Sequence, residues 1–192
     1  TVYDETATVA STQNVSNGLL FDVSGAYRVL DSLAVGLGIS TFSDSADAAM
    51  TAVVPDPLVF NSSRTVTAIA EDLARRETLV NLQAVIFLPV PDFMPVDTRI
   101  ALVLGPTIMN VRQELVRSAV VPAGTQDAVP AIETQTKTGI GFHGGFDLTY
   151  PINPQYGIGA FVRYAGGKVD LDSVTDLKVG GFQAGFGLRV GF

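Results

Sequence analysis

The 192-residue chain has no cysteine and no tryptophan, and it has a single histidine. Without cysteine there is no disulfide, no thiolate nucleophile and no thiolate metal site, and the compartment is not legible from cysteine usage. Charge is scarce as well. Only 16% of residues are charged, while 47% are hydrophobic and the mean hydropathy is +0.34. A water-soluble domain carries about 25% charged residues, so this deficit implies that much of the outer surface does not face water. The net charge of −7 argues against a nucleic-acid partner held by phosphate contacts. Long hydrophobic runs are also missing. The uncharged stretch from Leu148 to Val162 is interrupted by Pro151 and Pro154, and a spanning helix needs about 20 mostly apolar residues. If the chain meets lipid, it must do so as a closed barrel, the other fold that satisfies every backbone hydrogen bond in hydrocarbon. The chain begins at Thr1 with no basic or apolar leader, so the expectation is a mature product whose signal peptide has been removed.

What the chain does have is alternation. From Phe182 to Phe192 the even positions are Phe, Ala, Phe, Leu, Val and Phe, and the odd ones are Gln183, Gly185, Gly187, Arg189 and Gly191. A period of two with such different faces marks a β-strand. The pattern recurs over Leu19–Val29, Leu33–Ser40, Val80–Leu88, Arg99–Ile108, Ile140–Tyr150 and Tyr156–Tyr164. In all seven segments the apolar face is free of charge and the other face is small or polar. In a soluble barrel that second face would meet water and carry Lys and Glu. Lysine occurs only at Lys137, Lys168 and Lys178, and the second face is rich in Gly and Ala. Small side chains suit the lumen of a narrow barrel, and an aliphatic outer band suits lipid. The expectation is an all-β, antiparallel up-and-down transmembrane β-barrel, one domain over residues 1–192.

Connections alternate in the same reading. Leu30–Ser32, Val90–Val96 and Tyr150–Pro154 read as short turns, and Phe42–Glu77, Arg112–Lys137 and Gly166–Leu177 as long loops, as in outer-membrane barrels. Bacterial barrels have an even strand number, so eight strands are expected and one outward strand is missing before Leu19. Val2, Thr6, Thr8 and Val15 supply part of it, or it lies N-terminal to Thr1. Ala70–Glu77, with i,i+4 pairs Glu71–Arg75 and Asp72–Arg76, reads either as a short helix or as the top of a strand.

Taken together, the chain resembles the OmpA/OmpW-like superfamily of small outer-membrane β-barrels. The most specific piece is the last strand, which looks like the signal read by the barrel assembly machinery: Gln183, Gly185, Leu188, Val190 and the terminal aromatic Phe192. The resemblance implies a bacterial outer-membrane location, outer-membrane lipid and lipopolysaccharide as surroundings, and the assembly machinery as a partner. With no Trp, the aromatic girdle falls to Tyr27, Tyr150, Tyr156, Tyr164 and Phe192. Residues 1–192 are expected to hold the barrel without a peptidoglycan-binding domain, so cell-wall tethering is not carried over.

The polar cluster expected in the lumen is Asp22, Arg28, Arg99, His143, Asp147, Arg163, Gln183 and Arg189, with Asn81 and Gln83 beside it. Arg28, Arg99 and Arg189 are expected within reach of Asp147 or Asp22. Such a set selects ions in a pore or plugs a lumen just wide enough for its side chains. The plug is favoured, because buried charges need partners whatever the function. A lone His143 without a nucleophile or further ligands points to neither an enzyme nor a metal site, and no cofactor is expected. Acidic residues crowd the long loops. Asp170, Asp172 and Asp176 are spaced like part of a calcium loop, but the Gly and distal Glu are absent. Two functions remain: a structural or interaction barrel whose loops bind a protein partner, or a porin-like or OmpW-like conduit for small or hydrophobic solutes.

Overall fold

The computed structural model describes residues 8–13, 17–55, 62–92, 94, 97–120, 129–170 and 176–191. Strands account for nearly all of them: β1 (Thr8–Gln13), β2 (Leu19–Leu30), β3 (Leu33–Pro55), β4 (Ser63–Leu88), β5 (Arg99–Val120), β6 (Val129–Pro151), β7 (Tyr156–Val169) and β8 (Leu177–Val190). They form one sheet in the order β1-β3-β4-β5-β6-β7-β8, and β2 also pairs with β3. β1 is antiparallel to the distant part of β3, from Thr8 opposite Val53 to Gln13 opposite Ala48. β2 meets β3 across the two-residue turn at Asp31 and Ser32. Both segments therefore run the same way along β3, and the eight segments make seven antiparallel, up-and-down strands.

Seven strands is the number legible in the alternation, and the expected eighth is not found among the described residues. Thr8–Gln13 does not supply an eighth strand of opposite direction, and Val2, Thr6 and Val15 lie outside the described residues. The sheet is also open. Among the described residues β8 pairs only with β7, and β2 only with β3.

The expected loops change more. Phe42–Glu77 and Arg112–Lys137 are mostly strand, because β3 to β6 run for 22 to 26 residues each. The segment expected as a short turn, Val90–Val96, falls between the end of β4 at Leu88 and the start of β5 at Arg99. Ala70–Glu77 is strand. Alternating Thr, Ser, Ala and charged residues continue the ladder, since backbone pairing does not require an apolar face.

Within β4, Asp72 has a positive φ of 55°, and its N–H donates to Asp47 Oδ1 at 3.0 Å. Before it the buried positions are even, Val66 and Ala70; after it they are odd, Leu73, Arg75, Glu77 and Leu79. One inserted residue inverts the side-chain alternation, as a β-bulge does.

Contacts divide the chain into two compact units. The first comprises residues 1–18, 43–76 and 112–135. It buries Ala48, Ala70 and Leu73 against Val116, and Arg75 donates to Gln113 Oε1 at 3.0 Å. Its exposed positions include Ser43, Ser45, Asp47, Thr51, Thr65, Thr67 and Glu71, together with Val53, Ile69, Val129 and Ile132, so this unit shows polar and apolar side chains alike.

The second unit comprises residues 19–42, 77–111 and 136–192. Exposed side chains include Phe21, Tyr27, Leu37, Ile140, Phe142, Tyr164, Phe182, Phe186 and Leu188, with Phe186 at 92% and Ile140 at 78%. The opposite face buries Ser40, Asn81, Gln83, Thr107 and His143, beside a cluster of Leu79, Met109, Val111, Ala165, Val169 and Val179.

Candidate functional site

The buried face of the second unit carries a belt that takes one polar side chain from each strand from β2 to β8. These are Asp22, Ser40, Asn81, Thr107, His143, Arg163 and Gln183. The alternation on each strand points all seven to this face, and the ladders bring them to a common level.

The bonds of the belt have a direction. Thr107 Oγ1 donates to Asn81 Oδ1 at 2.8 Å and lies 2.8 Å from His143 Nδ1. A hydroxyl has one proton, and Thr107 has given its own to Asn81. His143 Nδ1–H is therefore the donor to Thr107. Asn81 Nδ2 donates to Ser40 Oγ at 3.3 Å, and Ser40 donates to Asp22 Oδ2 at 2.9 Å. Arg163 Nη2 donates to Asp22 Oδ2 and to Ser40 Oγ, both at 2.6 Å. Its Nε donates to Gln183 Oε1 at 2.6 Å, and its guanidinium lies 4.9 Å from the centre of the Phe161 ring. From His143 through β5, β4, β3 and β2 to Arg163 and Gln183 the belt is continuous. Between His143 and Arg163 themselves, which are diagonal neighbours across the β6–β7 ladder, no side-chain bond closes the ring. His143 Nε2 is buried with no partner among the described residues.

A second cluster lies on β6 and β8. Arg189 Nη2 pairs with Asp147 Oδ2, and Thr149 Oγ1 donates to Asp147 Oδ1 at 3.0 Å. Glycine makes room for these long side chains. A Cβ on Gly159 would lie 2.8 Å from Arg189 Nε, and one on Gly185 would lie 2.8 Å from the Phe161 ring.

Of the residues expected from sequence, Asp22, His143, Arg163 and Gln183 join the belt, and Asp147 with Arg189 forms the second cluster. Two expectations are corrected. Arg28 is exposed, with its guanidinium 4.5 Å from the centre of the Phe87 ring, and Arg99 is exposed at the start of β5; neither pairs with Asp147 or Asp22. Arg163 takes Asp22 instead, since its position in the β7 ladder sets it level with Gln183. Sequence reasoning passed over Ser40 and Thr107 as small residues of the second face, although the alternation that found Asn81 places them there too. In the terminal strand, Gly185 stands beside Phe161, Leu188 and Val190 are exposed, and Phe192 lies outside the described residues.

His143 gives its Nδ1 proton to Thr107, the reverse of what would activate that hydroxyl as a nucleophile. Among the described residues no three His, Cys, Asp or Glu side chains converge on a metal position. No protein-family model, curated protein or solved structure matches the chain.

Proposed function

We propose that this chain is a bacterial outer-membrane β-barrel protein, similar in architecture to the OmpA/OmpW-like barrels, whose lumen is closed by the polar belt. One observation carries the reading: the second unit exposes a broad apolar face while burying Ser40, Asn81, Gln83, Thr107 and His143 beside its apolar cluster. In water each exposed Phe or Leu forgoes about 1.5–3 kcal/mol of burial. A dozen of them would forfeit more than the roughly 5–15 kcal/mol that stabilises a domain. In lipid the same face is the favourable one. The strands also exceed the 9–11 residues or so that cross a bilayer, so only part of each lies in hydrocarbon.

Closure follows from strand direction. With seven antiparallel strands, β2 and β8 run parallel, and both present unpaired edges that hydrocarbon does not tolerate. An eighth strand antiparallel to both completes the barrel. The Arg163–Asp22 contact supports this, because it draws β7 and β2 together from opposite ends of the sheet order.

A belt bonded across so many strands favours a structural or interaction barrel over a conduit. Partner contacts would fall to the first unit, where Asp47, Glu71 and Asp72 are exposed on strands. Reconstitution into lipid vesicles followed by planar-bilayer recording tests both parts. The expected result is folded, protease-protected protein with no open channel at neutral pH. Partition into the aqueous phase would overturn the membrane reading, and a steady open conductance would favour the conduit.

A further inference from the structure

We propose that His143 is a proton-operated release for the belt, so that acidification opens a lumen that is shut at neutral pH. This rests on the outer-membrane reading above and adds a regulated function to it.

The inference begins with the tautomer. Because Nδ1–H is committed to Thr107, the free ring nitrogen, Nε2, carries a lone pair and is the site a proton must take. That atom is buried and has no partner among the described residues, and His143 as a whole is 2% exposed. A neutral imidazole tolerates this position. An imidazolium does not, because it needs an acceptor for its second N–H or access to water.

Its surroundings sharpen the conflict. From β7 the adjacent charged group on the belt is Arg163, the diagonal neighbour of His143. From β2 comes Asp22, already paired with Arg163. From β4 the buried carboxylate is Glu77, which accepts from Gly180 N–H at 3.0 Å. On β6 itself Asp147 is held by Arg189 of β8. A proton on Nε2 thus places a second cation beside Arg163 at the one step of the ring with no side-chain bond. The conflict is relieved when Arg163 or His143 leaves the belt and water enters, where a solvated imidazole holds its proton in histidine's ordinary range.

The test records single channels of the reconstituted protein while pH is lowered from neutral to about 5. Wild type is expected to change from shut to conducting, reversibly. His143→Asn keeps a neutral donor for Thr107 but takes up no proton, and is expected to stay shut at both pH values. His143→Lys is expected to conduct already at neutral pH. Heat-modifiable gel migration verifies that each variant folds and inserts. Inserted wild type with pH-independent behaviour overturns the release, as does a retained pH response in His143→Asn. Failure of wild type to insert at all overturns instead the membrane reading on which the release depends.

Discussion

Arg163 Nη2 lies 2.6 Å from Asp22 Oδ2, although four strands separate β7 from β2 in the sheet order. The pair is largely shielded, with side-chain exposures of 10% and 17%, and Arg163 also serves Ser40 and Gln183. Removing the guanidinium leaves a shielded carboxylate with only a hydroxyl donor. Arg163→Ala should cost about 3 kcal/mol, the lower end for breaking a buried pair, in urea unfolding from detergent micelles. Arg163→Ala combined with Asp22→Ala should recover part of that loss. A double variant that loses the sum of the two single losses would mean the ion pair contributes nothing.

Thr107 holds two neighbours with one hydroxyl. Thr107→Val keeps the shape and removes both bonds, leaving Asn81 Oδ1 and His143 Nδ1–H buried without it. A loss of about 1–3 kcal/mol is expected. The imidazole nitrogen shifts in an NMR spectrum should report a change in the Nδ1–H tautomer population. Unchanged shifts would contradict the donor assignment at Nδ1.

Leu188 and Gly187 are adjacent and face opposite ways. Leu188 is 76% exposed on the apolar face, so Leu188→Arg should impair insertion by roughly 2–4 kcal/mol near the bilayer midplane. On the other face a Cβ at Gly187 meets nothing closer than Arg189 Nη1 at 3.7 Å, and Gly187→Ala should be close to neutral. Folded yield in vesicles distinguishes the two. A tolerated Leu188→Arg in protein that purifies without detergent would return the sheet to water.

Gly105 is the opposite case. A Cβ there would stand 1.9 Å from the Leu82 carbonyl oxygen, which is backbone and cannot swing aside. Gly105→Ala should destabilise by about 1–3 kcal/mol through forced strand displacement, measured by the same unfolding assay.

Asp72 tests the bulge. Its φ of 55° suits glycine and opposes β-branched residues. Asp72→Gly should be mild and Asp72→Val should cost about 1–2 kcal/mol. Deleting Asp72 should be worse than either, because Val66 and Ala70 would then turn to the exposed face. A deletion as stable as Asp72→Gly would show that alternation above the bulge does not matter.

The inward set was legible because alternation is local. Gln183 and Arg189 share a face with Gly185 and Gly187 through the pleat alone, whatever lies beside β8. Asp22, His143 and Arg163 were found in the same way. The lengths of β3 to β6 were not legible, since Thr, Ser and Ala fit strand and loop alike once the apolar face ends. The bulge at Asp72 was hidden too, because its signal is a backbone angle stabilised by Asp47 on another strand.

The sequence by itself determined that this is a β-sheet with one apolar and one small or polar face, because a period of two is written into consecutive residues. Only the tertiary structure decided that Arg163 and not Arg28 meets Asp22, that Thr8–Gln13 lies along β3, and that the described sheet stays open between β2 and β8. Those outcomes depend on register between strands far apart in the chain, where one residue of slip exchanges the two faces. Alternation within a single strand carries no record of register.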